Sequence, residues 1–150
     1  MITKRLAELG IAVPTVPGPF GAYVPAKRSD NHIYIAGQLP MKDGQLVATG
    51  HVPSECSIDV AREGARQCVI NALAAAQTIV DLNHLAGVVR VGVFVSSDRT
   101  FTQQPQVANA ASELLKEIFG ESGQHARAAV GVAVLPLNAA VEIEFIFELN

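Results

Sequence analysis

The run Val141 to Leu149, VEIEFIFEL, places Val141, Ile143, Phe145, Phe147 and Leu149 on alternate positions, with Glu142, Glu144 and Glu148 between them. Period-two patterning of this length argues against a helix, whose apolar positions would recur at three and four. It predicts a strand with one buried face, so the chain must build a sheet and cover that face. A second apolar run, Ala128 to Val134, precedes it across a Pro-containing turn, which predicts a closing hairpin centred on Leu137–Asn138. Alternation then assigns Ala128, Val130, Val132 and Val134 to the helix-covered face, together with the apolar set of the last strand. The other face carries Arg127, Ala129, Gly131 and Ala133 beside Glu142, Glu144, Ile146 and Glu148. Glu144 and Glu148 read as solvated strand carboxylates. Arg127, among small neighbours, reads either as surface or as a point that another group approaches closely.

The cover comes from two helical patterns. Ser57 to about Leu82 carries Ala61, Ala65, Cys68, Ala72, Ala75 and Ile79 at helical spacing, with Ser57 as N-cap and Asp59 in the first turn. These small side chains let a helix lie close to a sheet. The second helix runs from Pro105 to Phe119, with the stripe Val107, Ala111, Leu114 and Ile118 and Gly120 as its stop. Between them, Gly87 to Ser97 is a Val-rich strand. Upstream, AYVPAKRSDNHIYIAGQLP reads as a hairpin turning at Ser29–Asn31, and Asp43-Gly44 marks a further turn. The order ββ(β)αβαββ predicts an α+β fold, a mixed β-sheet with two helices packed on one face. No linker or repeat divides residues 1–150, so a single domain is expected, with residues 1–17 as an N-terminal extension.

Composition narrows the function. Hydrophobic residues make up 49% of the chain and charged residues only 17%, too little polar material to cover a monomer's surface comfortably. The mean hydropathy of +0.29 points the same way, to apolar surface hidden between subunits. A net charge of −3 with no basic stripe makes nucleic acid an improbable partner. The N-terminus lacks a signal-peptide pattern, no apolar window is long enough to span a membrane, and the two cysteines suit a reducing compartment. A soluble cytoplasmic protein is expected. His32, His51, His84 and His125 are scattered without ligand spacing, so no metal site is expected. Cys56 and Cys68 lack a histidine tied to them by spacing, and Ser96, Ser97 and Asp98 lack a nucleophile-elbow context.

Three stretches carry a resemblance: AYVPAKRSDNHIYIAGQLP, FVSSDRTF and ARAAVGVAVLPLNAAVEIE. From about Gly18 to the C-terminus the chain resembles the Rid (YjgF-like) family of reactive-intermediate deaminases. The resemblance implies a chorismate-mutase-like fold, a homotrimer and cofactor-free hydrolysis of enamines and imines such as 2-aminoacrylate to 2-oxo acids and ammonia. It implies that Arg127 holds the substrate carboxylate, that Glu142 is the active-site glutamate, and that Tyr23 and Asn109 line the pocket with Ala36, Gly37 and Ala129. Ala36 stands where the family often has Ser or Thr, and Ala129 where it commonly has Cys or Ser. Both departures remove polar atoms and enlarge the pocket. The alternatives are a non-catalytic member that binds small carboxylates, or an endoribonuclease or translation inhibitor of the kind described for some relatives.

The residue types suit the first reading. A guanidinium grips a carboxylate bidentately and keeps its charge, while a carboxylate such as Glu142 can relay protons to a water attacking an electrophilic imine carbon. Hairpin register adds a constraint. With the turn at Leu137–Asn138, Arg127 faces Glu148 and Glu142 faces Ala133, about 20 Å apart along the strands. That spacing predicts a site shared between subunits.

Overall fold

Ser57 starts the longest helix as the pattern requires. Its hydroxyl accepts from the Val60 amide at 3.1 Å and caps a helix over Ile58–Ala76, α2. The computed structural model describes residues 1–18 and 20–150. Ala61, Ala65, Cys68, Ala72 and Ala75 of α2 are all buried. Ile79 lies beyond the helix and is 45% exposed, so α2 ends short of the expected Leu82. Thr78 supplies the reason: its hydroxyl takes the Ala75 carbonyl at 2.7 Å, and the β-branched run Thr78-Ile79-Val80 is a poor helix former. The second covering helix, α3, spans Gln104–Phe119 with Pro105 in its first turn. Gly120 ends it at φ 65°, a left-handed conformation that glycine adopts at least cost.

Within residues 1–17 an additional helix, α1 over Ile2–Glu8, docks onto the same layer. Ile2 and Leu6 are buried, Thr3 donates its amide to Asn83 Oδ1 at 3.1 Å, and Arg5 Nε donates to the Glu117 carbonyl at 2.7 Å.

Five strands form the main sheet: β1 (Ala26–Ser29), β2 (His32–Gln38), β5 (Leu85–Ser96), β6 (Ala126–Val132) and β7 (Val141–Leu149), in spatial order β1-β2-β7-β5-β6. A small separate hairpin pairs β3 (Met41–Lys42) with β4 (Gln45–Leu46), turning at Asp43-Gly44 with φ 52° and 79°. In the main sheet only β5 and β6 are parallel. They flank α3, and a strand–helix–strand crossover naturally returns the chain in the same direction.

The closing hairpin therefore does not form. β6 and β7 lie on opposite sides of β5, with Val91 paired to Arg127 on one side and to Phe145 on the other. The connecting residues 133–140 cross the end of β5 and are pinned by the 48–50 segment. Gly50 N donates to the Asn138 carbonyl at 2.9 Å and Ala140 N to the Ala48 carbonyl at 3.0 Å. Leu137 and Asn138 do turn at positive φ, but a leucine there is a poor tight-hairpin residue. Val-rich β5 instead lies between β6 and β7: Val91, Val93 and Val95 are buried, as are Gly92 and Ser96 on its other side.

Register also inverts one face assignment. Arg127, Ala129 and Gly131 pair with Val91, Val93 and Val95, so they face the helices, whereas Ala128, Val130 and Val132 face the open side. The assignment for β7 stands: Val141, Ile143, Phe145 and Phe147 are core, and Phe145 stacks on Phe147 with ring centroids 5.8 Å apart. Burial of each such side chain contributes roughly 1.5–3 kcal/mol. Glu142, Glu144, Ile146 and Glu148 lie on the open face, where Tyr34 and Val130 remain 47% and 45% exposed.

Candidate functional site

Arg127 leaves edge strand β6 toward α3. Its Nη1 donates to Asn109 Oδ1 at 2.8 Å and to Ser112 Oγ at 3.2 Å. Both acceptors stand on one face of α3, three residues apart. Ser112 is held in turn by His125, whose Nε2 lies 2.9 Å from its hydroxyl. His125 Nδ1 sits 2.6 Å from the Gly123 carbonyl, an acceptor only, so Nδ1 carries the proton and Nε2 accepts from Ser112. With Nη1 occupied twice, the Nε–Nη2 edge of Arg127 is left for a planar anion. Ala129 follows on the same face of β6, half-buried against the core. Asn109, assigned by resemblance, thus joins Arg127. Ser112 and His125 complete the group. Ser112 carried no sequence signal, whereas His125, two residues before the arginine on its own strand approach, did carry a weak one.

Glu142 belongs to a second group on the open face. β2 carries a bulge between Ile35 and Gln38, where one extra residue is accommodated opposite β7. At this bulge the Glu142 carboxylate lies directly over Gly37, so that a Cβ added there would collide with it. Ala36, the neighbouring bulge residue, donates its amide to the Pro25 carbonyl at 3.0 Å. Partial burial, reinforced by Glu144 two positions along, holds the Glu142 carboxyl above its ordinary pKa. Arg90 meets the Glu144 carboxylate at 3.3 Å and leaves Glu142 without an ion-pair partner among the described residues.

The expected separation of Arg127 and Glu142, about 20 Å along a hairpin, does not hold, because β5 lies between their strands. Arg127 does not face Glu148, nor Glu142 Ala133; Glu142 pairs with Phe94, three residues along β5 from Val91. Two strand spacings across and three residues along place the two backbones about 14 Å apart. The decisive feature is direction: Arg127 points to the helix face and Glu142 to the open face. Tyr23 joins neither. It is 62% exposed, its ring lies 5.8 Å from that of Phe20, and it makes no hydrogen bond to either group among the described residues.

A third polar group sits where residues 133–140 cross the sheet. His51 Nδ1 contacts the Glu55 carboxylate and Nε2 lies 2.7 Å from the Ala133 carbonyl. The Glu55 hydrogen bond first, and the Ala133 carbonyl second, raise the His51 pKa. Cys56 and Cys68 are free thiols pushed up in pKa by burial, which makes them poor nucleophiles. Among the described residues no cluster of His, Cys, Asp or Glu could hold a metal ion, and no helix is long and apolar enough to cross a membrane.

A family profile described as Endoribonuclease L-PSP matches residues 14–149. Protein TCP17 of Trypanosoma cruzi is 38% identical over 99% of this chain and 94% of its own. A 2-iminobutanoate/2-iminopropanoate deaminase of Dermatophagoides farinae is 34% identical over 97% of each chain. Among solved structures, a protein of unknown function from Agrobacterium tumefaciens superposes with a TM-score of 0.91 at 40% identity, covering 99% of this chain and 92% of that one.

Proposed function

Since the chain belongs to the endoribonuclease L-PSP family, also described as YjgF/RutC, we propose that it hydrolyses 2-imino and 2-enamino acids to 2-oxo acids and ammonia without a cofactor. One observation carries the reading: Asn109 and Ser112 hold Nη1 of Arg127 and leave its other edge for a carboxylate. A guanidinium fixed in this way docks a substrate without first losing rotamer freedom. The name of the Dermatophagoides farinae relative agrees with this chemistry.

Glu142 supplies the proton transfers. A water adds its oxygen to the imine carbon, and Glu142 takes one of the water's protons and returns a proton to nitrogen. The hydroxyl proton of the resulting carbinolamine then passes, again through Glu142, to nitrogen, so that the C–N bond breaks, ammonia leaves and the hydroxyl becomes the 2-oxo group. A carboxyl raised in pKa by burial is closer to the working pH, which favours both halves of this relay. An enamine substrate first tautomerises to the imine, gaining a proton at C3 as its nitrogen gives one up. Because Arg127 and Glu142 use opposite faces of one sheet, the pocket joins Arg127 of one subunit to Glu142 of another. A cyclic homotrimer repeats that pocket at each interface, and the exposed Val130, Val134 and Leu137 supply apolar surface for it. Tyr23, Ala36, Gly37 and Ala129 line the remainder, and the two free thiols suit the cytoplasm. An RNA backbone would meet Glu142, Glu144 and Glu148 on the open face, which disfavours the nuclease reading.

The test couples the protein to a lyase that generates 2-aminoacrylate and follows 2-oxo acid and ammonia formation. Acceleration by the wild type and none by Arg127→Ala is the expected result. No acceleration by the wild type overturns the proposal.

A further inference from the structure

Beside Arg127 runs a groove of about 370 Å³ between the C-terminal half of α3 and residues 123–127. Ser112, Glu113 and Lys116 line one wall, and Gly123, Gln124, His125 and Arg127 the other. Its charge balance is uneven. Glu113 is engaged by Arg62 at 3.2 Å, and Glu117, on the adjoining face, by Arg66 at 3.8 Å. Lys116 and Arg127 have no ion-pair partner among the described residues, so two cations remain uncompensated along one small groove. Lys116 follows Ser112 by four positions, which puts it on the same helix face about 6 Å further along. Lys116 and Arg127 both line this groove.

The opposite wall is rigid. Gly123 is pressed onto the backbone of Leu115 and Lys116, with 3.0 Å between a notional Cβ and Lys116 Cα. Its carbonyl orients His125, which in turn holds Ser112. A planar fork and a point charge lining the same groove offer one partner to each carboxylate of a diacid. A single small anion would occupy only the fork.

We propose that this groove extends the substrate site, with Lys116 binding the distal carboxylate of a dicarboxylic 2-imino or 2-oxo acid whose α-carboxylate is held by Arg127. The inference rests on the reading of Arg127 given above and adds a substrate class to it. Lys116 is then the residue that sets preference for acidic over short aliphatic substrates. Lys116 also borders a second groove, lined by Ile2 and Arg5 of α1, so the variant keeps a side chain of similar length.

Calorimetric titration with 2-oxoglutarate and 2-oxobutyrate, on the wild type and on Lys116→Met, is the test. The wild type should bind 2-oxoglutarate about tenfold more tightly, the scale of one charged hydrogen bond. Lys116→Met should lose that preference and leave 2-oxobutyrate binding unchanged. Equal affinities in the wild type, or a preference that survives in Lys116→Met, overturn the inference while leaving the Arg127 reading intact. Inorganic phosphate binding as tightly as 2-oxoglutarate overturns it in favour of an unselective anion site. Failure of both oxo acids to bind overturns the two readings together.

Discussion

Gly37→Ala separates activity from stability at the proposed site. The added methyl would lie 3.1 Å from Glu142 Cδ and 3.4 Å from Cγ, and would overlap the carboxylate oxygen itself. All three atoms belong to the outer half of a flexible, half-buried side chain with space on the open face, so the carboxylate can swing aside. The stability cost is therefore below about 1 kcal/mol, a fall in Tm of less than about 4 °C for a chain of this size. Catalysis is less forgiving. A carboxylate moved by about 1 Å from the attacking water loses on the order of 100-fold in rate. Single-turnover hydrolysis of an enzymatically generated 2-imino acid, alongside a thermal melt, reads both quantities. A near-wild-type rate constant with an unchanged melt would show that the position of Glu142 over the bulge is irrelevant to turnover. A large fall in Tm would refute the swing and place Glu142 in a rigid structural role.

Arg127→Ala should lower kcat/KM by about 100-fold or more with the fold intact, and Arg127→Lys should recover little, since one ammonium cannot reproduce the fork. Full activity in either variant removes Arg127 from the site. The His51 clamp should be pH-dependent: its pKa is raised from 6.5, so its contribution is full below that value and is lost as pH rises through the raised one. Glu55, lowered in pKa by the same contact, loses its share only as pH falls through its depressed value. The Tm advantage of the wild type over His51→Ala should therefore shrink between about pH 5.5 and about pH 9, and a constant difference refutes the clamp. Gly123→Ala should cost about 1–3 kcal/mol, because the new methyl meets backbone atoms, Leu115 C at 2.8 Å and Lys116 Cα at 3.0 Å, that cannot turn away. An unchanged melt would show that this wall is looser than described.

Strand and helix identities were legible because their periodicities are unambiguous: VEIEFIFEL as a strand, the alanine stripe of α2 and the Val107–Ile118 stripe of α3 all hold. Strand adjacency was not. Two apolar runs either side of Pro136 look like a hairpin, and nothing local reveals that β5 separates them. The better signal was the order strand–helix–strand across β5, α3 and β6, which favours parallel pairing. That error propagated into the faces, since pairing with Val91 turns Arg127 toward α3 rather than toward Glu142. α1 was missed because Ile2 and Leu6 make too short a stripe to announce a helix whose stability comes from docking. At the candidate site, the resemblance names Arg127, Asn109, Glu142 and Gly37 singly, and their neighbours, Asn109 beside Arg127 and Gly37 beneath Glu142, emerge only once the strands are placed. Ser112 was not foreseen, because a serine on a helix has no pattern until the partner strand is placed.

The central claim is that Arg127 and Glu142, on opposite faces of one sheet, act together only across a subunit boundary. Mixing Arg127→Ala with Glu142→Gln in equal amounts, with subunit exchange verified by mass spectrometry, tests it most directly. Each variant alone should be inactive, and random reassembly should restore about one quarter of wild-type activity, the fraction of interfaces that receive one intact residue from each side. Verified exchange with no recovered activity would contradict the account.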